Sequence, residues 1–321
     1  MAAKSRAKMN NTEAVSFIKP QDMVKSRELA SHFFSEPEKL PISFVFDGKA
    51  ICGIPEEWNP VSNRRRIDAN IIETVFEGND SETGMNVRVE YTEYQDYPVI
   101  EWVAWFTNKG HEPAPAIRDA LAADWELKGA SPILDHGNGD FYSGDGYTPC
   151  ETPLHPGETI TLAPNGGRPC DGAFPYFRLI FEGGGLSLAI GWPAQWSAGF
   201  SAVTDGVRVQ AGQEKTDIRL LPGESIRTPR ITVLSWTGGV SRAVNLWRRW
   251  YLTHILPRSD GQPMKPLLAC AAPDEGEEFT AATEENQLRY MEKFKQRGIY
   301  FDVWWIDAGW YPCYDENQKR K

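Results

Sequence analysis

The chain has 321 residues, of which 41% are hydrophobic and 12% aromatic, and its formal net charge at pH 7 is -10. This apolar content can fill a core larger than one small domain needs, which excludes a disordered chain. The excess negative charge argues against a nucleic-acid partner, and no apolar run reaches the roughly 18 residues that a membrane span needs. A neutral small molecule is therefore the expected partner.

The N-terminus and the cysteines bear on the cellular compartment. Residues 1–14 are polar and basic without a following apolar segment, so they predict a disordered tail rather than a secretory signal. The five cysteines are scattered, with no C-x-x-C pair and no histidine at ligand spacing, which argues against disulfides and a zinc site. We expect a cytoplasmic protein with reduced thiols, no metal and no cofactor.

Residues 15–240 are predicted to form an all-β domain, either a β-sandwich or a pair of stacked antiparallel sheets. Segments rich in β-branched and aromatic residues end at Gly, Asn or Pro, as strands do. They are 43–49, 66–78, 85–94, 98–110, 177–192 and 200–212.

Two local patterns support this prediction. Val87, Val89 and Tyr91 alternate with polar residues, which is typical of a sheet with one face in water. Gly183, within a triple glycine, and the Asp205-Gly206 pair lie between apolar segments and predict hairpin turns.

Residues 241–262 are predicted to be a linker helix that lies against the sandwich. Trp247, Trp250 and Tyr251 recur at helical spacing, and Ser241 is a candidate N-cap. His254, near the end of this helix, is expected to pack or cap rather than to act as a base.

Residues 263–321 change character, with a short apolar strand at 267–272, a helix at 283–298 and a second strand at 300–307. This order predicts two parallel strands, and two such strands cannot close a core by themselves. We therefore predict the first two strands of a (β/α)8 barrel, truncated here. The apolar residues that the helix is predicted to align on one face are Leu288, Met291 and Phe294.

Asp307 is the candidate for chemistry in this part of the chain. The carboxyl ends of barrel strands carry the active site, and Asp307 ends the second predicted strand. Its carboxylate can accept hydrogen bonds from two sugar hydroxyls, and Trp310 can offer an indole face to a sugar ring. A second interpretation stays open, in which Asp307 caps the following turn.

Several stretches, in order over roughly residues 40–312, resemble the N-terminal half of family 36 glycoside hydrolases, the bacterial α-galactosidase group of the melibiase clan. The stretches are PCDGAFPYFRLIFEGGGLSLAIGWPAQW (169–196), LPGESIRTPRITVLSW (221–236), NLWRRWYLTHILPR (245–258) and WWIDAGWYP (304–312). The resemblance implies a β-supersandwich, a helical connection, a β/α barrel and a small C-terminal β-domain. It also implies retaining hydrolysis of a terminal α-linked galactose-type sugar.

The resemblance assigns a substrate-binding role to Asp307 and Trp310. The family's second barrel strand ends in Asp-Asp-Gly-Trp, whose acids hold the 4- and 6-hydroxyls of galactose, whereas this chain has Ala308 as the second residue. That change implies a sugar that differs at one position, such as a 2-amino or 2-acetamido galactoside. Asp274, after the first barrel strand, is a further candidate for substrate contact, with an exposed acidic loop as the alternative. The resemblance places the catalytic nucleophile and acid/base on later strands, beyond Lys321, so none is assigned here.

Other interpretations remain open at this point. The chain could be a non-catalytic glycan-binding or oligomerisation module, a homo-oligomer, or part of an enzyme that transfers galactose between sugars. Trp192 and Trp196 could stack on a sugar, although so dense an aromatic cluster is more typical of a core. The acidic loop at 134–147 could bind calcium, but it lacks the ligand order of an EF-hand, which favours a flexible polar loop.

Overall fold

Two compact units, Met1–Thr253 and His254–Lys321, make up the chain. Across the described residues, every helix is too short or too polar to span a lipid bilayer. The computed structural model describes residues 17–129, 132–140, 144–271, 282–306 and 308–311.

The first unit is built almost entirely from antiparallel strands. In chain order they are β1 Ser43–Phe46, β2 Lys49–Cys52, β3 Val61–Arg66, β4 Ile71–Asn79, β5 Met85–Tyr94, β6 Val99–Asn108, β7 Ile117–Lys128, β8 Ile133–Gly137, β9 Pro149–Pro153, β10 Thr159–Leu162, β11 Tyr176–Phe181, β12 Gly184–Gly191, β13 Trp196–Val203, β14 Gly206–Gln213, β15 Asp217–Ile218, β16 Ser225–Arg227 and β17 Arg230–Thr237. Its helices are α1 Pro20–Phe34 and α2 Val240–Trp250.

These strands form two sheets. One has the order β10-β13-β14-β7-β1-β2, with β15 beside β7. The other has the order β3-β4-β5-β6-β17-β12-β11-β8-β9, with β16 beside β6. The predicted all-β antiparallel fold is confirmed.

The predicted hairpins are also found. β11 and β12 join at Gly183, and β13 and β14 join just before Gly206. The segment predicted as one strand at 43–49 is instead the start of a tight hairpin, β1 and β2. Asp47 and Gly48 at its turn both have positive φ, at 49° and 74°, and such a two-residue turn matches the twist of paired strands.

The core lies between the two sheets. Residues from both inner faces form one buried cluster, including Phe44 and Phe200 from one sheet and Val89 and Trp102 from the other. The Trp102 indole donates a hydrogen bond of 2.6 Å to the carbonyl of Ala122, so this large side chain is buried without an unsatisfied polar atom.

Helix α1 was not predicted, because residues 15–240 were read as strands. Pro20 occupies its first turn and the Asp22 carboxylate accepts a hydrogen bond of 3.0 Å from the Lys19 backbone amide, a helix start that the sequence does contain. Phe33 and Phe34 enter the core, where the Phe34 ring stacks on Tyr91 with 3.8 Å between centroids. Aromatic burial therefore anchors the helix to the sandwich.

A buried ion pair joins α1 to α2. The Asp22 carboxylate is fully buried, lies 2.5 Å from the Arg242 guanidinium and accepts two hydrogen bonds of 2.8 Å from Thr237. Burial alone would raise the pKa of Asp22, but the hydrogen bonds from Arg242 and Thr237 hold that pKa below its ordinary value. The carboxylate is therefore ionised over the working pH range.

Helix α2 packs on the outer face of the ten-stranded sheet, as predicted for the linker. Leu246 and Trp250 form a second buried cluster with Tyr94 of β5, and the Tyr94 and Trp250 rings meet edge to face at 5.5 Å. The N-cap is Gly239, so Ser241 lies in the first turn rather than at the cap. Within the predicted linker 241–262, the helix ends at Trp250 and a π-helical turn, Tyr251–Ile255, follows.

The second unit contains short elements. They are strands β18 Arg258–Ser259, β19 Gln262–Pro263, β20 Ala269–Ala271 and β21 Val303–Trp305, and helix α3 Glu284–Gln296. β20 and β21 pair in parallel, as the strand-helix-strand pattern predicts. The complete barrel remains a prediction.

Candidate functional site

The candidate site is built on the parallel pair of strands in the second unit. Ala269 pairs with Val303 and Ala271 with Trp305, so the carboxyl ends of β20 and β21 lie side by side. At the opposite end, the backbone amide of Leu268 donates a hydrogen bond of 2.9 Å to the Asp302 carboxylate. This bond joins the residue before β20 to the residue before β21.

Helix α3 joins the two strands and packs on them through mixed contacts. The Trp304 indole donates a hydrogen bond of 2.7 Å to the buried Gln287 side chain, and the Phe294 and Trp304 rings meet edge to face at 5.7 Å. The contacting face carries Gln287, Tyr290 and Phe294. The predicted face is wrong at Leu288, which is 56% exposed, because the helix turns that position away from the strands.

Both predicted acids follow the carboxyl ends of these strands in the sequence. Asp274 comes three residues after Ala271 and Asp307 two residues after Trp305, and both acids lie outside the described residues. Their roles stay predictions. The parallel pairing places the carboxyl ends of β20 and β21 side by side, and one acid follows each of these ends in the sequence.

Trp310 is the only one of the three predicted substrate-binding residues that the structure describes. Its indole is 67% exposed and meets the Tyr311 ring edge to face at 5.2 Å, and Gly309 before it has a φ of 91°. An exposed indole of this kind can stack on the apolar face of a sugar ring.

The other sequence candidates have structural roles in the sandwich. Trp196 is fully buried and its indole donates a hydrogen bond of 2.9 Å to the carbonyl of Pro169, while Trp192 lies under the Arg227 guanidinium at 5.2 Å. The segment predicted as an acidic loop begins in strand β8, where the buried Asp135 carboxylate pairs with the Arg178 guanidinium at 2.6 Å. In the part of the chain that the structure describes, no cluster of three metal-ligating side chains is found.

Sequence reasoning missed one feature of the sandwich, a cleft beside α1. Its walls come from α1, from β7, β12 and β17, and from the hairpin of β13 and β14. The signal available in the sequence was the helix start at Pro20 with apolar residues following at helical spacing. Which strands face that helix depends on the sheet order.

The chain is similar to known proteins in its structure but not detectably in its sequence. No protein-family profile and no curated protein matches the chain. Among solved structures, the chain is similar to the GH36 α-galactosidase AgaA from Geobacillus stearothermophilus, at 17% identity and a TM-score of 0.62, covering 85% of this chain and 40% of AgaA. It is also similar to the α-galactosidase from Lactobacillus brevis, at 15% identity and a TM-score of 0.63, covering 83% of this chain and 37% of that enzyme.

A third similar structure is the galactosidase domain of the α-galactosidase-sucrose kinase AgaSK, at 16% identity and a TM-score of 0.57, covering 73% of this chain and 34% of that one. The predicted resemblance is confirmed as a likeness of fold: the chain has the fold of the N-terminal portion of GH36 α-galactosidases. Variants of AgaA have been solved in complex with stachyose and with raffinose. The chain spans about 40% of the length of AgaA.

Proposed function

We propose that the full-length protein is a retaining glycoside hydrolase that removes terminal α-linked galactose-type sugars. One observation carries the proposal. β20 and β21 pair in parallel, and each is followed in the sequence by an acid at the position where barrel strands present their active-site residues. The fold shared with α-galactosidases supports the same class of enzyme.

The apolar surface of the second unit supports a barrel that continues beyond two strands. Leu267, Leu268 and Trp305, in or beside the parallel strands, are all more than half exposed. A strand of a closed barrel is covered on both faces, so side chains of this kind are expected to be buried by further strands and helices.

Asp307 would serve as the clamp on the sugar and Trp310 as the surface on which the sugar ring rests. A carboxylate that accepts two hydroxyl hydrogen bonds fixes both the orientation and the stereochemistry of the ring. Asp274 is a further proposed contact at the neighbouring strand end. The two catalytic carboxylates, about 5 Å apart in retaining enzymes, would come from later strands.

Ala308 bears on which sugar is bound. The acid expected beside Asp307 is replaced by a methyl group, which cannot accept a hydroxyl hydrogen bond. We infer that the sugar differs from plain galactose, with 2-amino and 2-acetamido galactosides as the first candidates. A cytoplasmic location remains a proposal, supported by the free thiols of Cys52, Cys150, Cys170 and Cys270.

The test is an assay of the full-length protein on the nitrophenyl α-glycosides of galactose, N-acetylgalactosamine and galactosamine. Release of nitrophenol with retention at the anomeric carbon is expected for at least one of them. Products lengthened by one sugar would indicate transfer, and no turnover of any substrate would contradict the proposal.

Ala308→Asp sharpens the choice of substrate. The added carboxylate restores a second acceptor, so we expect kcat/KM to shift toward the plain α-galactoside by about tenfold, the equivalent of one hydrogen bond of roughly 1.4 kcal/mol. Ala308→Leu is the matched control, because its side chain is similar in size to that of Asp but has no oxygen that accepts a hydrogen bond. An equal change for every substrate would argue against a role of this position in specificity.

A further inference from the structure

A cleft of about 910 Å³ opens beside α1 in the first unit. One wall is a stripe of α1 with i, i+3, i+4 and i+7 spacing, so its side chains share one face of the helix. The members of this stripe are Lys25, Glu28, Leu29 and His32. The volume lies in the range of about 300–1,000 Å³ that is usual for small-molecule sites.

Ser235 is the unusual residue at this cleft. It lies on β17 on the same side as Ile231 and Val233, which face the sandwich core, and it is 1% exposed. Its hydroxyl has no hydrogen-bond partner in the described part of the chain. A buried hydroxyl without a partner is destabilising, so a ligand group that reaches it would gain a hydrogen bond that the described residues do not make.

Apolar side chains flank this hydroxyl. Leu186 pairs with Ser235 across β12 and β17, and Phe181 closes the same side. The Phe181 ring packs over Gly129, where an added Cβ would lie 2.6 Å from the ring. Gly129 thus leaves room for the Phe181 ring at the cleft wall, and an aromatic ring can pack on the C-H face of a sugar.

The rim of the cleft carries charges of both signs. Lys25 and Lys128 lie on it together with Glu28, Glu126 and Asp205. Two cations and three carboxylates give no strong preference for an anion or a cation, yet they supply many donors and acceptors. This balance fits a neutral ligand with many hydroxyl groups.

We propose that the cleft is a second carbohydrate site, one that binds a neutral mono- or disaccharide. The apolar face of the sugar rests on Phe181 and Leu186, and one hydroxyl group bonds to the Ser235 hydroxyl. The site lies wholly in the first unit and shares no residue with the proposed clamp at Asp307. It therefore does not depend on the proposed hydrolase activity.

The test is a titration of the 321-residue chain with methyl α-D-galactopyranoside, methyl α-D-glucopyranoside and sucrose, followed by calorimetry and by saturation-transfer NMR. Binding of at least one of them with a roughly millimolar dissociation constant is expected, as small neutral ligands in open clefts give. Glucuronate and glucosamine are the charged comparisons, and both are expected to bind more weakly.

Ser235→Ala should weaken binding about tenfold, the loss expected when one hydrogen bond of roughly 1.4 kcal/mol is removed. Its thermal midpoint should stay the same or rise, because the substitution removes a hydroxyl without a partner. Thr204→Trp, on the exposed hairpin turn at the mouth, should block the cleft. Ser201→Ala is the control, since that hydroxyl bonds Thr159 at 2.8 Å and does not line the cleft.

Four results would overturn the proposal. The first is that no neutral sugar binds, and the second is that the Ser235→Ala and Thr204→Trp variants bind as tightly as the wild type. The third is that a charged analogue binds more tightly than the neutral sugars, and the fourth is that binding is lost only in Asp307→Asn. The last would place the sugar at the proposed clamp in the second unit.

Discussion

The two units place the same type of residue in opposite environments. In the sandwich, Trp102 and Trp196 are almost fully buried, whereas Trp305 and Trp310 in the second unit are more than 60% exposed. Two facing sheets bury the inner side of every strand, but a single parallel pair with one helix leaves large faces uncovered. Trp102 and Trp196 therefore stabilise the sandwich, whereas Trp305 and Trp310 are available for contacts.

The largest expected effect tests this comparison directly. Trp102→Ala should lower the free energy of unfolding of the sandwich by about 3–5 kcal/mol, because it leaves a cavity between two sheets. Trp305→Ala in the 321-residue chain should change the free energy of unfolding of the second unit by no more than about 0.5 kcal/mol, as exposed positions do. Urea unfolding of the two variants measures both, and equal costs would contradict the difference between the units.

The buried pair of Asp22 and Arg242 should come next. Asp22→Asn leaves the Arg242 guanidinium largely buried without its counter-charge and should cost about 3–5 kcal/mol at pH 7, toward the lower end because the amide still accepts hydrogen bonds. Arg65→Gln, at an exposed pair with Glu73, is the control and should cost less than about 1 kcal/mol.

The same pair predicts a pH dependence. Since the pKa of Asp22 is lower in the folded state, its contribution to stability is present above the ordinary carboxyl pKa and is lost as the pH falls through the lowered value. Acid unfolding of the wild type should therefore show a loss that Asp22→Asn lacks. Parallel curves for the two proteins would rule out this contribution.

In the second unit the expected effect is on function rather than stability. Asp307→Asn in the full-length protein should weaken transition-state stabilisation by about 1.5–3 kcal/mol. This corresponds to a roughly 10- to 150-fold lower kcat/KM, through a higher KM and a lower kcat. Its thermal midpoint should not change. Asp302→Ala is the control, because it removes the acceptor for the Leu268 backbone amide and should affect stability instead. Unaltered kinetics in Asp307→Asn would leave that residue as a cap of the turn.

The smallest effect concerns the contact between α3 and β21. Gln287→Ala removes the acceptor for the Trp304 indole and should cost about 0.5–1.5 kcal/mol in the second unit. Gln287→Glu keeps an acceptor oxygen and should cost less. Hydrogen exchange of the β21 amides compares the two, and equal protection would show that this hydrogen bond contributes little.

Local patterns predicted much of the sandwich. The segment 85–94 coincides with β5, and Val87, Val89 and Tyr91 are buried as their alternation predicts. Tyr94, on the opposite face of β5, is also buried, because α2 covers it. Period-two alternation shows which residues share a face of the strand. Whether the second face is buried depends on what packs against it.

The candidate site was predictable only in part. Strand-helix-strand order predicts parallel pairing, because a helical crossover returns the chain in the same direction, and the structure confirms it. The exposure of Leu288 was not predictable, since the buried face of α3 includes the polar Gln287, which a hydrophobic pattern does not count. Asp274 and Asp307 keep the roles that the sequence predicts for them.

What the sequence alone determined is local: which segments are strands, where the hairpins turn and where the parallel pair begins. These depend on backbone preferences and on residue spacing within about ten positions. The tertiary structure alone decided that α1 enters the sandwich, that α2 covers one face, and that Ser235 is buried at a cleft. Those outcomes depend on contacts between residues more than 200 positions apart, as in the bond between Thr237 and Asp22, which are 215 positions apart, and no local pattern encodes such distances.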